Sequence, residues 1–372
     1  MKFTIERAAF LKSLNHVQSV VERRNTIPIL SNVLLKAASG AVQLTATDLD
    51  LEIVETTNAD VAQAGGVTAN AHMLYDIVRK LPDGAQLELE QGADDGRVTL
   101  YAGRSQFTLQ ALPQEDFPDL TAGDMTHTFK VQAADLSRLI DKTRFAISTE
   151  ETRYYLNGIY LHEVENDNIA FLRGVATDGH RLAQVELPLP EGASGMPGII
   201  IPRKTVLEVH KLLENEEEEV EISLSDSKIR FSFGSIVLTS KLIDGTFPDY
   251  ERVIPQGNEN SLEVDSVLFA QAVDRVSTIS SERGRAVKLL IAKDKVVLSV
   301  NNPDSGSATE EVAASFDGED LEIGFNARYL LDITSQLESD TARFLLADSG
   351  APAIVRDNND ASALYVLMPM RV

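Results

Sequence analysis

Residues 70–84 read NAHMLYDIVRKLPDG, and the apolar Leu74, Ile77 and Leu81 fall at i, i+3 and i+7. That spacing puts them on one face of a helix. The pattern returns twice. Residues 202–216, PRKTVLEVHKLLENE, carry Val206, Val209 and Leu213, and residues 326–340, NARYLLDITSQLESD, carry Leu330, Ile333 and Leu337. The copies lie 132 residues apart (Leu74 to Val206) and then 124 (Val206 to Leu330). Chance periodicity produces amphipathic helices, but not the same flanking context three times.

A second helix repeats upstream of each. FTIERAAFLKSLNHV (3–17), FKVQAADLSRLIDKT (129–143) and LEVDSVLFAQAVDRV (262–276) each join a short strand to an amphipathic helix. Phe10, Leu136 and Phe269 correspond, as do Leu14, Ile140 and Val273. The first two repeats end on a shared signature, DFPDL at 116–120 and TFPDY at 246–250, and the third ends on ALYVLMPMRV. Strand segments alternate in short runs such as Val98–Leu100 and Phe107–Leu109, the pattern of antiparallel sheets with one face buried. The expected fold is α+β, with three similar domains over 1–125, 126–259 and 260–372. The joins fall in the polar, glycine-bearing stretches TAGDMTH and PQGNENS. The Glu-rich run at 216–219 reads as a solvated turn.

The 372 residues are 43% hydrophobic and 24% charged, an ordinary globular composition. No apolar run approaches the ~18 residues that span a bilayer. The N-terminal segment has charges among its apolar residues and no small-residue cleavage site, so a signal peptide is not expected. The absence of cysteine excludes disulfides, thiolate metal sites and thiol nucleophiles, and fits a cytoplasmic protein. Lys+Arg 34 against Asp+Glu 57 gives a net charge of -23, which argues against tight non-specific nucleic-acid binding.

Local charge runs the other way. On the later helices His72, Lys204 and Arg328 share one column, and Arg79, Lys211 and Ser335 lie seven residues on. On the earlier helices His16, Lys142 and Arg275 share a column, preceded four residues earlier by Lys12, Arg138 and Gln271. Such spacings project from one side of a helix. The recurrence predicts basic stripes opposite the core face, able to hold a polyanion loosely and without base readout.

Residues 174–182, GVATDGHRL, set an aspartate, a histidine and an arginine within four positions. Catalysis there needs a nucleophile, a metal or a second acid within reach. The histidines His16, His72, His127, His162, His180 and His210 show no metal-ligand spacing, and there is no phosphate-binding loop, dinucleotide fingerprint or nucleophile elbow. The first repeat has TATDLDLEI at 45–53, which keeps Thr47 and Asp48 but lacks the histidine and the arginine. A structural turn explains the shared Thr-Asp pair. Gly179, His180, Arg181 and Leu182 are then specific to the second repeat. No cofactor or metal is expected.

The triplication, VATDGHRLA, RYYLNG, SKLIDGTFPDY and the terminal YVLMPMRV together resemble the bacterial DNA sliding clamp family, the β subunit of DNA polymerase III, along the whole chain. The resemblance implies a non-enzymatic processivity factor. It implies a head-to-tail homodimer forming a six-domain ring, helices inside and sheets outside, around double-stranded DNA. The implied partners are the polymerase III catalytic subunit, the clamp-loader complex, and other polymerases and repair proteins docking short peptides. The implied groove, between the second and third domains, comprises Leu156, Thr177, Gly179, His180, Arg181, Leu182, Pro248, Arg252, Val253, Val366, Leu367, Met368, Pro369, Met370 and Arg371. Where the family has a branched apolar residue and a serine at the rim, this chain has Gly350 and Pro352.

For DNA, the resemblance adds Arg24, Tyr154 and Tyr155 to the column cations Arg79, Lys142, Lys204, Lys211 and Arg275, with Glu150 where glutamine is common. For the dimer it sets Arg104, Phe107 and Leu109 against Thr278, Ile279, Asp304 and Glu310. Two other readings stand beside it: a peptide-binding repeat scaffold that never encircles DNA, and a hydrolase using Asp178 and His180.

Overall fold

A computed structural model describes residues 1–92, 96–120, 123–214, 218–280 and 285–371. Glu216 and Glu217 of the Glu-rich run, Thr121 and Ala122 of the first join, and Val372 lie outside the described residues.

The six repeated helices are α1 (Arg7–Gln18), α2 (Ala71–Lys80), α3 (Ala133–Arg144), α4 (Arg203–Leu213), α5 (Ser266–Ser277) and α6 (Ala327–Thr334). Several start at a side-chain cap closing a strand. Asn70 accepts from the Met73 amide at 2.9 Å, Asp265 from Leu268 at 2.8 Å and Asn326 from Arg328 at 3.0 Å. Each satisfies an amide that the first helical turn leaves open. The corresponding apolar sets are core: Phe10, Leu136, Phe269, Leu14, Ile140 and Val273 are all at most 5% exposed. On α2 the periodicity is one position off. Val78 is fully buried, whereas Ile77 is only partly covered and faces an open groove with Met73.

All strand pairs are antiparallel. One sheet runs Asp60–Gln63, Lys2–Glu6, Gln86–Gln91, Arg97–Ala102, Ser105–Gln110. An eight-stranded sheet runs from His127–Gln132 through Ile236–Lys241 and Leu51–Asn58 to Gly65–Asn70, and a twelve-stranded sheet includes Arg181–Pro188 beside Ala363–Leu367. Two of those neighbours cross repeat boundaries. Ile236–Lys241 of repeat two pairs with Leu51–Asn58 of repeat one, and Ala363–Leu367 of repeat three pairs with Arg181–Pro188 of repeat two. The chain accordingly divides into two compact units that cut through the second repeat. One holds Met1–Ala134, Pro190–Met196 and Lys204–Leu242; the other holds Asp135–Leu189, Pro197–Arg203 and the chain from Ile243 onward.

The Thr-Asp turn takes the same form in both repeats that carry it. The Thr47 hydroxyl accepts from the Leu49 amide at 3.0 Å, and Asp48 Oδ1 accepts from Asp50 and Leu51 at 2.9 and 2.7 Å. Thr177 accepts from Gly179 at 3.1 Å, and Asp178 Oδ1 from His180 and Arg181 at 2.9 and 3.0 Å. The third turn residue is left-handed in both, with φ of 80° at Leu49 and 86° at Gly179. Only the second repeat uses the residue type that adopts this conformation without strain.

Leu49→Gly is therefore expected to stabilise the protein by about 0.5–1 kcal/mol. Asp48→Ala should cost about 2 kcal/mol by leaving turn amides unpaired. Urea midpoints of the two variants, which must shift in opposite directions, check both.

Candidate functional site

The second-repeat turn and the C-terminal strand are zipped together. Arg181 pairs with Leu367 and Leu182 with Val366 in the ladder, the Met368 amide donates to His180 O at 2.9 Å, and the Met370 amide to Gly324 O at 2.8 Å. The first junction has the same end bond, from the Lys241 amide to Asp50 O at 2.8 Å. There the side chains also form an ion pair, Lys241 to Asp50 at 2.9 Å. At the second junction those two places hold Met368 and His180, both exposed. A charge pair has given way to apolar and aromatic surface.

Around this point the expected groove residues fall into two layers. Leu156, Leu182 and Val366 are buried together with Phe247, Tyr250 and Ile354, and form a floor. Thr177 and Leu367 are buried as well. Gly179, His180, Pro248, Arg252, Val253 and Met368 are exposed. Pro369, Met370 and Arg371 border a cavity of about 660 Å³ with Glu322, Ile323 and Gly350. Pro352, two residues after Gly350, accepts from the Asn258 side chain through its carbonyl at 2.8 Å.

Arg181, also expected at the groove, is largely covered. It is 7% exposed, and its guanidinium is fully engaged: Nε donates to Asp178 at 3.1 Å, Nη1 to Asp332 at 2.5 Å and Nη2 to Phe145 O at 2.6 Å. Its Cζ lies 4.3 Å from the Tyr329 ring centre and 5.1 Å from that of Phe145. Asp178 is spent on the turn and on Arg181, and the His180 ring stacks on Tyr329 with centroids 6.3 Å apart. Neither is set up as a proton shuttle. Among the described residues no group of three His, Asp or Glu side chains is placed to hold a metal.

A network that periodicity does not reveal supports the floor. Tyr250 O–H lies 3.0 Å from His162 Nε2 and accepts from Arg173 at 2.8 Å, while Arg173 also reaches Glu186 and Glu251 at 2.8 and 3.0 Å. Tyr160 stacks between His162 and Phe247. Burial, and then the Arg173 charge, hold the His162 ring down to about 4. The neutral ring has one tautomer that fits: Nδ1–H donates to Glu163 O, and Nε2 accepts from Tyr250. The only hint in the sequence was Tyr250 itself, at the end of the repeated TFPDY signature.

The expected free basic stripes need correction. Lys142 is 4% exposed rather than solvated, because residues of the third repeat cover it: it pairs with Glu338 at 2.8 Å and Asp360 at 3.1 Å. Despite burial, which raises it, hydrogen bonds from Ser362, Arg138 and Lys142 bring Asp360 down to about 2. Arg79 pairs with Asp76 at 3.0 Å, Lys204 with Asp48 and Glu22 at 2.6 Å each, Lys211 with Glu208 at 2.7 Å and Arg275 with Glu310. Arg24 is exposed, Tyr154 is 53% exposed, and Tyr155 packs partly on the floor cluster.

Of the expected dimer residues, Arg104, Thr278 and Asp304 are exposed, while Phe107 and Ile279 are partly covered. Phe107 lines a groove of about 720 Å³ with His72, Met73 and Ile77. Leu109, at 7%, is already buried within its own sheet and offers little to a partner. Glu310 is partly covered and engaged by Arg275.

Residues 1–121, 130–249 and 251–371 match the N-terminal, central and C-terminal domains of the DNA polymerase III beta subunit. The chain belongs to that family. It is 55% identical over 372 residues to the beta sliding clamp of Caulobacter vibrioides, and 37% identical over 373 to that of Escherichia coli, with each chain covered in full. The solved sliding clamp of Bartonella birtlesii bound to griselimycin superposes with a TM-score of 0.97 at 57% identity, covering 100% of both chains. The Caulobacter crescentus clamp superposes at 0.98, covering 100% of this chain and 99% of that one. The family is one of processivity factors, not of enzymes.

His162 gives the site a pH signature. Its folded value lies below the ordinary 6.5, so the unfolded chain takes up the proton first. The stability it contributes is complete above pH 6.5 and is lost as pH falls toward 4. The partly covered ring should cost about 1–2 kcal/mol across that window. Asp360 acts lower, between 3.8 and about 2. Urea unfolding of His162→Phe should show a flatter pH dependence between 6.5 and 4.5 than the parent chain.

Proposed function

We propose that this chain is a cytoplasmic DNA sliding clamp, a head-to-tail dimer that closes around duplex DNA and tethers a polymerase. Its three domains divide near residues 125 and 259. The carrying observation is a pair of strand edges. Each internal junction covers the strand after a repeat's Thr-Asp turn with the last strand of the neighbouring repeat. By the same logic, among the described residues the last strand of the first repeat and the corresponding strand of the third are left without such a cover. Ser105–Gln110 ends its sheet, and Gly306–Phe316 meets Asn260–Asp265 only through Ala314, Ser315 and Phe316. Long open edges invite pairing. Pairing the two between copies is a heterologous contact, and two such contacts close a ring. Arg104 then faces the acidic edge of Asp304 and Glu310, with Phe107 beside Ile279, a complementary arrangement that fixes register.

Ion-paired cations along the helices suit a mobile grip. Enclosure supplies retention, so strong phosphate binding is unnecessary. Arg24 and Tyr154 are the exposed groups proposed to touch DNA, with Arg79 and Lys211 adding weaker contacts. Lys142, committed to Asp360, is proposed as a structural residue instead.

The peptide groove is proposed over the floor of Leu156, Leu182 and Val366, walled by His180, Val253, Met368 and Met370. Met side chains adapt to several partners, here segments of the polymerase III catalytic subunit, the clamp loader, other polymerases and repair proteins. Related clamps solved with griselimycin, a peptide-like ligand, support a docking site of this kind.

The chain should stay on closed circular DNA and leave once the circle is linearised; a scaffold shows no such difference. Phe107→Ala should weaken the dimer about 30-fold by sedimentation, the loss typical of an interface anchor. A wild-type monomer at micromolar concentration would refute the closure.

The groove is checked separately. Met370→Ala should weaken binding of a polymerase-derived peptide about tenfold with the dimer intact. His180→Ala should give a smaller, graded loss. Unchanged affinity in both would place the groove elsewhere.

A further inference from the structure

Behind the second-repeat turn lies a cavity of about 410 Å³ whose lining includes Arg144, Thr149, Arg203, Arg328 and the Arg181–Asp332 pair. Its cations are unevenly committed. Arg203 is exposed; its amide donates to Asn157 O at 2.9 Å, and its guanidinium has no hydrogen bond or ion pair among the described residues. Arg144 has an exposed partner on its own helix, Asp141 at 3.1 Å. Among the described residues the Arg328 guanidinium reaches only Asp332 Oδ2, at 3.8 Å, and that oxygen already accepts from Arg181 at 2.5 Å. The other carboxylates are occupied: Glu150 pairs with Arg153 at 3.3 Å, and Asp178 serves the turn and Arg181.

We propose that this cavity binds phosphate groups, and that occupancy is coupled to the peptide groove through the Asp332 carboxylate. Guanidinium forks around a polar cavity match phosphate oxygens in geometry and charge. A phosphate engaging Arg203 and Arg328 draws Arg328 away from Asp332 and leaves the shared oxygen to Arg181. Arg181 holds the turn, and the turn holds the C-terminal segment through the His180–Met368 bond. Phosphate binding thus stiffens the groove wall before a peptide arrives. Linkage requires the reverse effect by the same factor: bound peptide tightens phosphate binding. Asp332 is a positioning residue in this scheme and touches neither ligand. The inference rests on the groove reading above.

The test measures affinity of a labelled polymerase-derived peptide for the intact dimer by fluorescence polarisation at matched ionic strength. Chloride alone, inorganic pyrophosphate and a short DNA duplex are compared. Pyrophosphate or duplex should tighten the peptide about fivefold over chloride. Tightening by duplex alone identifies the DNA backbone as the source of the phosphate; tightening by pyrophosphate identifies a free phosphate anion as sufficient. Arg328→Gln should keep the affinity in chloride and lose the tightening. Asp332→Asn should lose the tightening and also weaken the chloride affinity. Peptide binding that is normal but indifferent to both phosphate sources overturns the coupling, as does full tightening in Arg328→Gln. Peptide binding absent under every condition refutes the groove reading instead.

Discussion

A strand that has reversed through the Thr-Asp turn leaves one edge of amides and carbonyls open, and the rest of the chain is arranged around covering it. The turn itself is cheap: one threonine hydroxyl and one aspartate oxygen take three successive amides. The exposed edge is not, because unpaired strands aggregate or recruit another chain. Here the recruit is the next repeat. Five consecutive residue pairs join Ile236–Lys241 to Leu51–Asn58, and five join Ala363–Leu367 to Arg181–Pro188. Repeats are therefore not beads on linkers. Each contributes strands to a neighbour's sheet, and compact units follow the sheets instead of the repeat boundaries.

Ion pairs then specify which repeat meets which. At the first junction the turn carboxylate Asp48 receives Lys204 from the following repeat. At the second the polarity is reversed: the turn supplies Arg181, and the following repeat supplies Asp332. Glu208 holds the place in α4 that Asp332 holds in α6, and it meets the Ser19 hydroxyl at 2.5 Å instead of an arginine. Largely covered pairs contribute little net stability, but a mismatched partner would strand a charge. The arrangement favours the observed order of neighbours over a shuffled one. It also explains how a chain of net charge -23 carries recurrent helix cations without presenting a strongly basic surface.

What was legible in the sequence is what local chemistry controls. Helix faces follow from periodicity, so Phe10, Leu136 and Phe269 are core as read. The turn follows from two residue types and recurs bond for bond. Lys142 was misread because its column lies opposite the core of its own repeat, while its cover, Asp360, arrives from more than two hundred residues away. Periodicity has no access to a partner supplied by another repeat. The His162–Arg173–Tyr250 network escaped for a related reason: its members come from two adjacent strands and a distant short helix, and none stands out by spacing. Arg181, specific to the second repeat, is buried and bonded to Asp178, Asp332 and Phe145 O, partners that spacing along its own strand does not announce.

The two junctions differ in what covers their last backbone bond. Both end on the same backbone bond, Lys241 to Asp50 in one and Met368 to His180 in the other. In the first, side chains of opposite charge close over that bond, and the strained Leu49 caps the turn. In the second, glycine removes the cap, histidine and methionine replace the ion pair, and no salt bridge among the described residues covers the place. An apolar floor of Leu182, Val366 and Phe247 lies beneath. Replacing a closing charge pair with adaptable apolar side chains turns a structural joint into a surface that gains by being covered. The same fold therefore yields a charge-closed junction once and an open one once, from differences at two turn positions and one strand end, and the open one is where the peptide groove is proposed.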